Sequence, residues 1–114
     1  MEITVKQEKG ATVLAVSGSI DALTAADLTK TVSSHIEDGH VNLVVDLTGL
    51  EFMSSAGLRS LLGAVKESRS QGGDLRIAST NSGTGVDKVL KMSGFYNIAK
   101  VFPTQADAVA SFEE

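Results

Sequence analysis

The chain has 114 residues, 14 acidic against 10 basic side chains for a formal charge of −4, no cysteine, and 42% apolar residues. That length suits one domain, 1–114, with a single core, and the acidic balance with scattered Lys and Arg excludes a nucleic-acid surface, which needs a basic patch. Disulfide and thiol chemistry are excluded as well. The lack of a leader pattern or an 18-residue apolar span points to a cytoplasmic protein with no membrane insertion.

In chain order, residues 3–7 alternate apolar and polar, as a half-exposed strand does, and residues 12–16 form a more apolar second strand. The Glu8-Lys9-Gly10 turn signal joins them as a hairpin. Ser17-Gly18-Ser19-Ile20-Asp21 reads as a loop, after which Thr24 to Asp27 reads as a capping box opening a helix. Leu28, Val32 and Ile36 line one face of that helix, with Ala25 and His35 beside them, and Gly39 closes it. A central strand covers residues 43–47, with a turn at Thr48-Gly49 and a short apolar piece (Leu50, Phe52, Met53) after it. Leu58, Leu61, Leu62 and Val65 then recur at helical spacing to about Ser70, where Gln71-Gly72-Gly73 ends the helix. Residues 74–78 form the next strand, residues 79–85 a polar glycine-rich loop, and Val86, Val89 and Leu90 a short helix stopped at Ser93-Gly94. Residues 98–102 read as a last strand ended by Pro103. Thr104 caps a terminal helix with Ala106, Val109 and Ala110 facing inward. The pattern predicts an α/β fold: a mixed, mainly parallel sheet of about five strands packed with about four helices.

The informative stretch is residues 42–65, NLVVDLTGLEFMSSAGLRSLLGAV. Ser54 and Ser55 fall where strand passes into an amphipathic helix. In the bland reading one of them is simply an N-cap, accepting from a helix amide that has no internal partner. A phosphate on either would meet free N–H groups. The small Ala56 and Gly57 would leave a hydroxyl reachable.

Residues 46–58, D-L-T-G-L-E-F-M-S-S-A-G-L, resemble the signature of the anti-sigma factor antagonists, whose fold is the STAS domain. Ser17-Gly18-Ser19-Ile20-Asp21 and Met92-Ser93-Gly94-Phe95 extend the likeness over nearly the whole chain. The resemblance implies a bacterial regulator of transcription, not an enzyme, that acts by partner switching. Unphosphorylated, such a protein binds an anti-sigma factor that is also a serine kinase; phosphorylation releases it, and a PP2C-type phosphatase restores it. By position the phosphoacceptor is Ser55, with Ser54 as second choice. Ser54, Ala56, Gly57, Leu58, Arg59 and Asp21 would form the partner surface, with no cofactor, in a monomer or weak dimer. Two positions depart from the family pattern: Ser54 replaces an acid before the acceptor, and Ala56 a hydroxyl residue after it.

Other residues carry competing readings. Residues 79–85 lack the Gly-Lys-Ser/Thr ending of a P-loop and the third glycine of a dinucleotide fingerprint. His35 and His40, without cysteines or spaced carboxylates, do not form a metal pattern. A Ser55/His40/Asp46 triad lacks the hydrolase elbow. Asp46 reads equally as a loop anchor or a site residue, and Arg59 as a phosphate partner or a solvated charge. The alternative functions are a non-phosphorylated STAS adaptor subunit, such as those of lipid-transport complexes, and a small-ligand or nucleotide-binding module.

Overall fold

The computed structural model describes residues 1–80 and 85–113. The opening alternation folds back on itself: β1 (Glu2–Glu8) pairs antiparallel with β2 (Ala11–Ile20), Glu8 opposite Ala11. Lys9 (φ 51°) and Gly10 (φ 85°) make the two-residue turn, since positive φ at both positions matches the twist of the paired strands. Then come α1 (Ala22–Glu37), β3 (Asn42–Met53), α2 (Ser55–Ser70), β4 (Asp74–Ala78) and α3 (Gly85–Met92). A 3₁₀ turn (Phe95–Asn97), β5 (Val101–Phe102), α4 (Gln105–Ala110) and a second 3₁₀ turn (Ser111–Glu113) complete the chain. The strands lie in the order β1-β2-β3-β4-β5, parallel from β2 onward. The predicted mixed sheet with four helices is therefore what forms.

Two-residue alternation along the strands supplies two buried faces. Leu14, Leu43, Val45, Leu75 and Ile77 meet Leu28 and Val32 of α1, Leu61 and Val65 of α2, Leu90 of α3, and Phe95. On the opposite face Ala11, Val13, Val44 and Ala78 meet Ala108 and Val109 of α4, with Phe102 and Phe112 packed alongside. Among the described residues no helix is long and apolar enough to cross a membrane.

Five local expectations are corrected. Residues 17–20 are not a loop: β2 continues through them, pairing Ser17 with Gly49 and Ile20 with Met53. Nor is Thr48-Gly49 a turn that ends the central strand, since β3 runs on to Met53. Its ladder with β2 breaks twice, and each break inserts an extra residue on β3, so the segment bulges and stays paired. Because β2 reaches Ile20, α1 starts three residues earlier than predicted. Its capping box is Asp21 with Thr24, not Thr24 with Asp27. The last strand shrinks to Val101–Phe102, because the amides of Ile98 and Ala99 both turn back to the Phe95 carbonyl. In α4 the buried residues are Ala108 and Val109, while Ala106 and Ala110 are exposed. A hydrogen bond from Gln105 Nε2 to Asp46 Oδ2 (2.8 Å) sets the rotation of that helix.

Candidate functional site

The extended β2 and β3 end side by side, and each hands directly into a helix. The Ser54 amide donates to the Ile20 carbonyl at 2.8 Å, so the next residues are Asp21, the N-cap of α1, and Ser55, the first residue of the neighbouring α2. Ser54 is the N-cap of α2, half-buried, its Oγ accepting from the Gly57 amide at 3.2 Å. Ser55 is exposed and its hydroxyl has no hydrogen bond among the described residues. The two serines that the sequence left equivalent are thereby separated: one hydroxyl closes the helix, the other faces solvent. Gly57 is buried, and a Cβ there would lie 2.7 Å from Ile20 Cγ2 and 2.9 Å from Met53 Cγ. Its smallness serves the packing of α2 onto β2 and β3. Ala56 and Leu58, both half-buried, pack against the same core.

Asp21 is exposed, and its Oδ1 accepts from the amides of Thr24 and Leu23, each at 2.9 Å. The Thr24 amide, then the Thr24 hydroxyl, hold its carboxyl below the usual range, so it is a fixed negative charge at neutral pH. The helices are clasped along their length: Ser60 Oγ donates to the Ala25 carbonyl and meets Thr29 Oγ1, and Ser33 Oγ donates to Glu67. Arg59 is exposed on α2, without an ion pair or hydrogen bond among the described residues. Two exposed apolar side chains stand at this end, Leu23, which the sequence pattern did not mark, and Phe52, which it placed in a short apolar piece without a role at the site. Leu23, in the first turn of α1, is 84% exposed, and Phe52, at the end of β3, is 54% exposed. The readable signal for Leu23 was its phase, since it lies off the Ala25, Leu28, Val32, Ile36 stripe.

The STAS domain family matches residues 2–108 of the sequence. The chain belongs to the STAS domain family. It is 31% identical over 107 residues to the anti-sigma-F factor antagonist RsfB of Mycobacterium tuberculosis, covering 94% of this chain and 85% of that protein. It is 25% identical over 114 residues to the anti-sigma F factor antagonist of Paenibacillus polymyxa, covering 99% and 96%. The crystal structure of an anti-sigma factor antagonist from Mycobacterium paratuberculosis superposes with a TM-score of 0.89 at 26% identity, covering 99% of this chain and 94% of that one.

In this STAS domain the remaining sequence candidates lie apart from the paired helix starts. The Asp46 carboxylate accepts from the Thr48 amide (2.9 Å) and hydroxyl (2.7 Å) and from Gln105, which makes it the anchor of the β3 bulge and of α4. His40 precedes β3 whereas Ser55 follows it, so the triad drawn on paper does not assemble. His35 and His40 face each other at 6.1 Å between ring centroids, and no group of three His, Asp or Glu among the described residues comes together to hold a metal. Of the glycine-rich loop considered for nucleotide, residues 81–84 lie outside the described residues. A depression lined by Ser79, Tyr96, Val101, Phe102 and Pro103 has a volume of about 120 Å³. Small-molecule sites begin at roughly 300 Å³. Beside it, burial and a hydrogen bond to the buried Asp87 push the Tyr96 hydroxyl up to about 12, so it stays protonated and donating.

Proposed function

We propose that this STAS domain is an anti-sigma factor antagonist working by partner switching, with Ser55 as its phosphoacceptor. The observation that carries the reading is the division of labour between the serines. Ser54 Oγ is engaged by the Gly57 amide, and Ser55 Oγ is open to solvent. A kinase acting on this protein needs a hydroxyl that can take the phosphoryl group without first breaking a helix cap, and Ser55 meets that need.

In the forward step the Ser55 Oγ–H loses its proton and Oγ bonds to the γ-phosphorus of ATP. The bridging β–γ bond breaks and ADP leaves; hydrolysis of the phosphoserine by a PP2C-type phosphatase restores the hydroxyl. The protein is substrate and switch in both steps, not the enzyme. The anti-sigma factor and kinase would dock on Leu23, Phe52, Asp21, the exposed edge of Ser54, Ala56 and Leu58, and Arg59. Gly57 keeps α2 close to the strands and so sets the height of that surface.

Phosphoserine brings about −1.5 to −2 charges at neutral pH. One such charge about 4 Å from a partner carboxylate, at an effective dielectric near 20, is repelled by roughly 4 kcal/mol. Every ~1.4 kcal/mol is tenfold in affinity. Half that repulsion releases a complex, with no refolding of the domain.

The test is intact-mass measurement and peptide mapping of the protein from its native cells, before and after phosphatase treatment. A phosphate on Ser55 is the expected result. Phosphate on Ser54 would keep the switch and move its site. Material that never carries phosphate, under conditions where the anti-sigma factor binds, would transfer the function to a constitutive adaptor.

A further inference from the structure

The chain has three arginines, and two are tied down. Arg69 pairs with Asp74 at 2.9 Å and donates to the Ile98 carbonyl; Arg76 pairs with Asp74, donates to Ser111 and lies 4.0 Å over the Phe112 ring. Arg59 has no such partner among the described residues. Its own helix offers none: the positions three and four residues away are Ala56, Leu62, Ser55 and Gly63. Residues four apart are neighbours on a helix surface, and an anion N-terminal to its cation is the favourable orientation. Ser55 is therefore the one helix neighbour of Arg59 that phosphorylation turns into an anion. A guanidinium can grip phosphate oxygens with two N–H groups at once.

We propose that Arg59 is the intramolecular partner of a phosphate on Ser55, so that phosphorylation withdraws this cation from the docking surface while adding negative charge to it. This rests on Ser55 being the acceptor. The partner surface is then one that Arg59 attracts in the unphosphorylated state, an acidic patch on the anti-sigma factor. The phosphate acts on it twice, by its own charge and by capturing the arginine.

The test uses the full chain with phosphoserine installed at position 55 during translation, so no kinase is required, and follows the second ionisation of the phosphate by phosphorus NMR. An isolated phosphoserine ionises near pH 6. The other charged groups of the segments meeting here are Asp21 at the N-cap of α1, Asp27 on α1 and Glu51 on β3, with the Met1 ammonium acting on Asp21 and Lys30 farther along α1. Acids raise a neighbouring ionisation, whereas the terminal ammonium and the helix amides lower it, so the part of the fall that reports Arg59 is the part lost in Arg59→Gln. We expect the phosphate to ionise roughly half a unit to one unit lower in the protein that keeps Arg59 than in Arg59→Gln, the exposed end of what a neighbouring cation does. Arg59→Lys should recover part of the difference, and salt should erase it. Equal ionisation with Arg59 and with Gln overturns the pairing, whatever the amides contribute. If the pairing fails while the installed phosphoserine still abolishes partner binding, the switch stands without it. If cells never phosphorylate Ser55, the switch fails whatever this titration returns.

Discussion

Replacing the two adjacent serines one at a time should separate stability from switching. Ser54→Ala removes the oxygen that accepts from the Gly57 amide at 3.2 Å and leaves that donor half-sheltered at the helix start. Loss of such a cap typically destabilises by about 1 kcal/mol. Unfolding entropy near the midpoint is about 2.1 cal/mol/K per residue, or about 0.24 kcal/mol/K for 114 residues, so Tm should fall by about 4 °C. Ser55→Ala breaks no hydrogen bond among the described residues and places a better helix former in the first turn, so Tm should hold or rise by a degree or so. Calorimetric melts of both variants give the first half of the answer. Phosphate mapping of each variant expressed in the native host gives the second, with phosphate retained in Ser54→Ala and lost in Ser55→Ala. A Ser55→Ala melt as low as that of Ser54→Ala, or phosphate surviving in Ser55→Ala, would refute the reasoning.

Gly57→Ala should destabilise despite gaining nearly 1 kcal/mol of helix propensity. The added Cβ meets Ile20 and Met53 below 3.0 Å, and overpacking of this kind typically costs about 1–3 kcal/mol. A urea midpoint above that of the unsubstituted protein would sink this. Asp74→Asn tests the clasp at the far end of the sheet. Burial raises the Asp74 carboxyl, but the hydrogen bonds from Arg69 and then Arg76 outweigh it and leave it below its ordinary value. A lowered folded value means stability that is present above the unfolded value near 3.8 and lost as pH falls through the folded one. The variant should thus be weaker at pH 7, and the gap should close as pH falls through the lowered folded value of Asp74; a gap that stays constant in urea titrations down to full protonation of the carboxyl would contradict it. Leu23→Asp and Phe52→Asp should each weaken binding of the organism's anti-sigma factor at least tenfold in a calorimetric titration, while Tm moves by roughly 2 °C or less because both side chains are exposed. Unchanged affinity in both would remove these residues from the docking surface.

Much of this fold was legible because its signals are local and periodic. The stripe of Ala25, Leu28, Val32 and Ile36, the glycines after α1 and α2, and the Thr104 cap of α4 each declare an element by spacing or backbone conformation within a few residues. Most of the errors lie where pairing partners decide, the shortened β5 with its local turn at Phe95 being the exception. Ser17 to Ile20 and Thr48-Gly49 carry turn-forming residues, yet neighbouring strands hold both as ladder, with the carboxylate of Asp46 gathering the Thr48 amide at the bulge. The facing of α4 depends on a hydrogen bond from Gln105 to a residue 59 positions away.

The sequence by itself determined the α/β alternation, the family, and the placing of two serines at the start of the second major helix. All three reside in periodicity and in a short contiguous motif. Only the tertiary structure decided which serine is open. That depended on the Ser54 amide finding the Ile20 carbonyl across the sheet, and on its hydroxyl turning to Gly57 as α2 closes onto Ile20 and Met53. The same pairing brought the start of α1, with Asp21 and Leu23, to the end of the sheet where α2 begins. Their sequence distance from Ser55 exceeds thirty residues, and no local pattern encodes a contact made by two strands ending together.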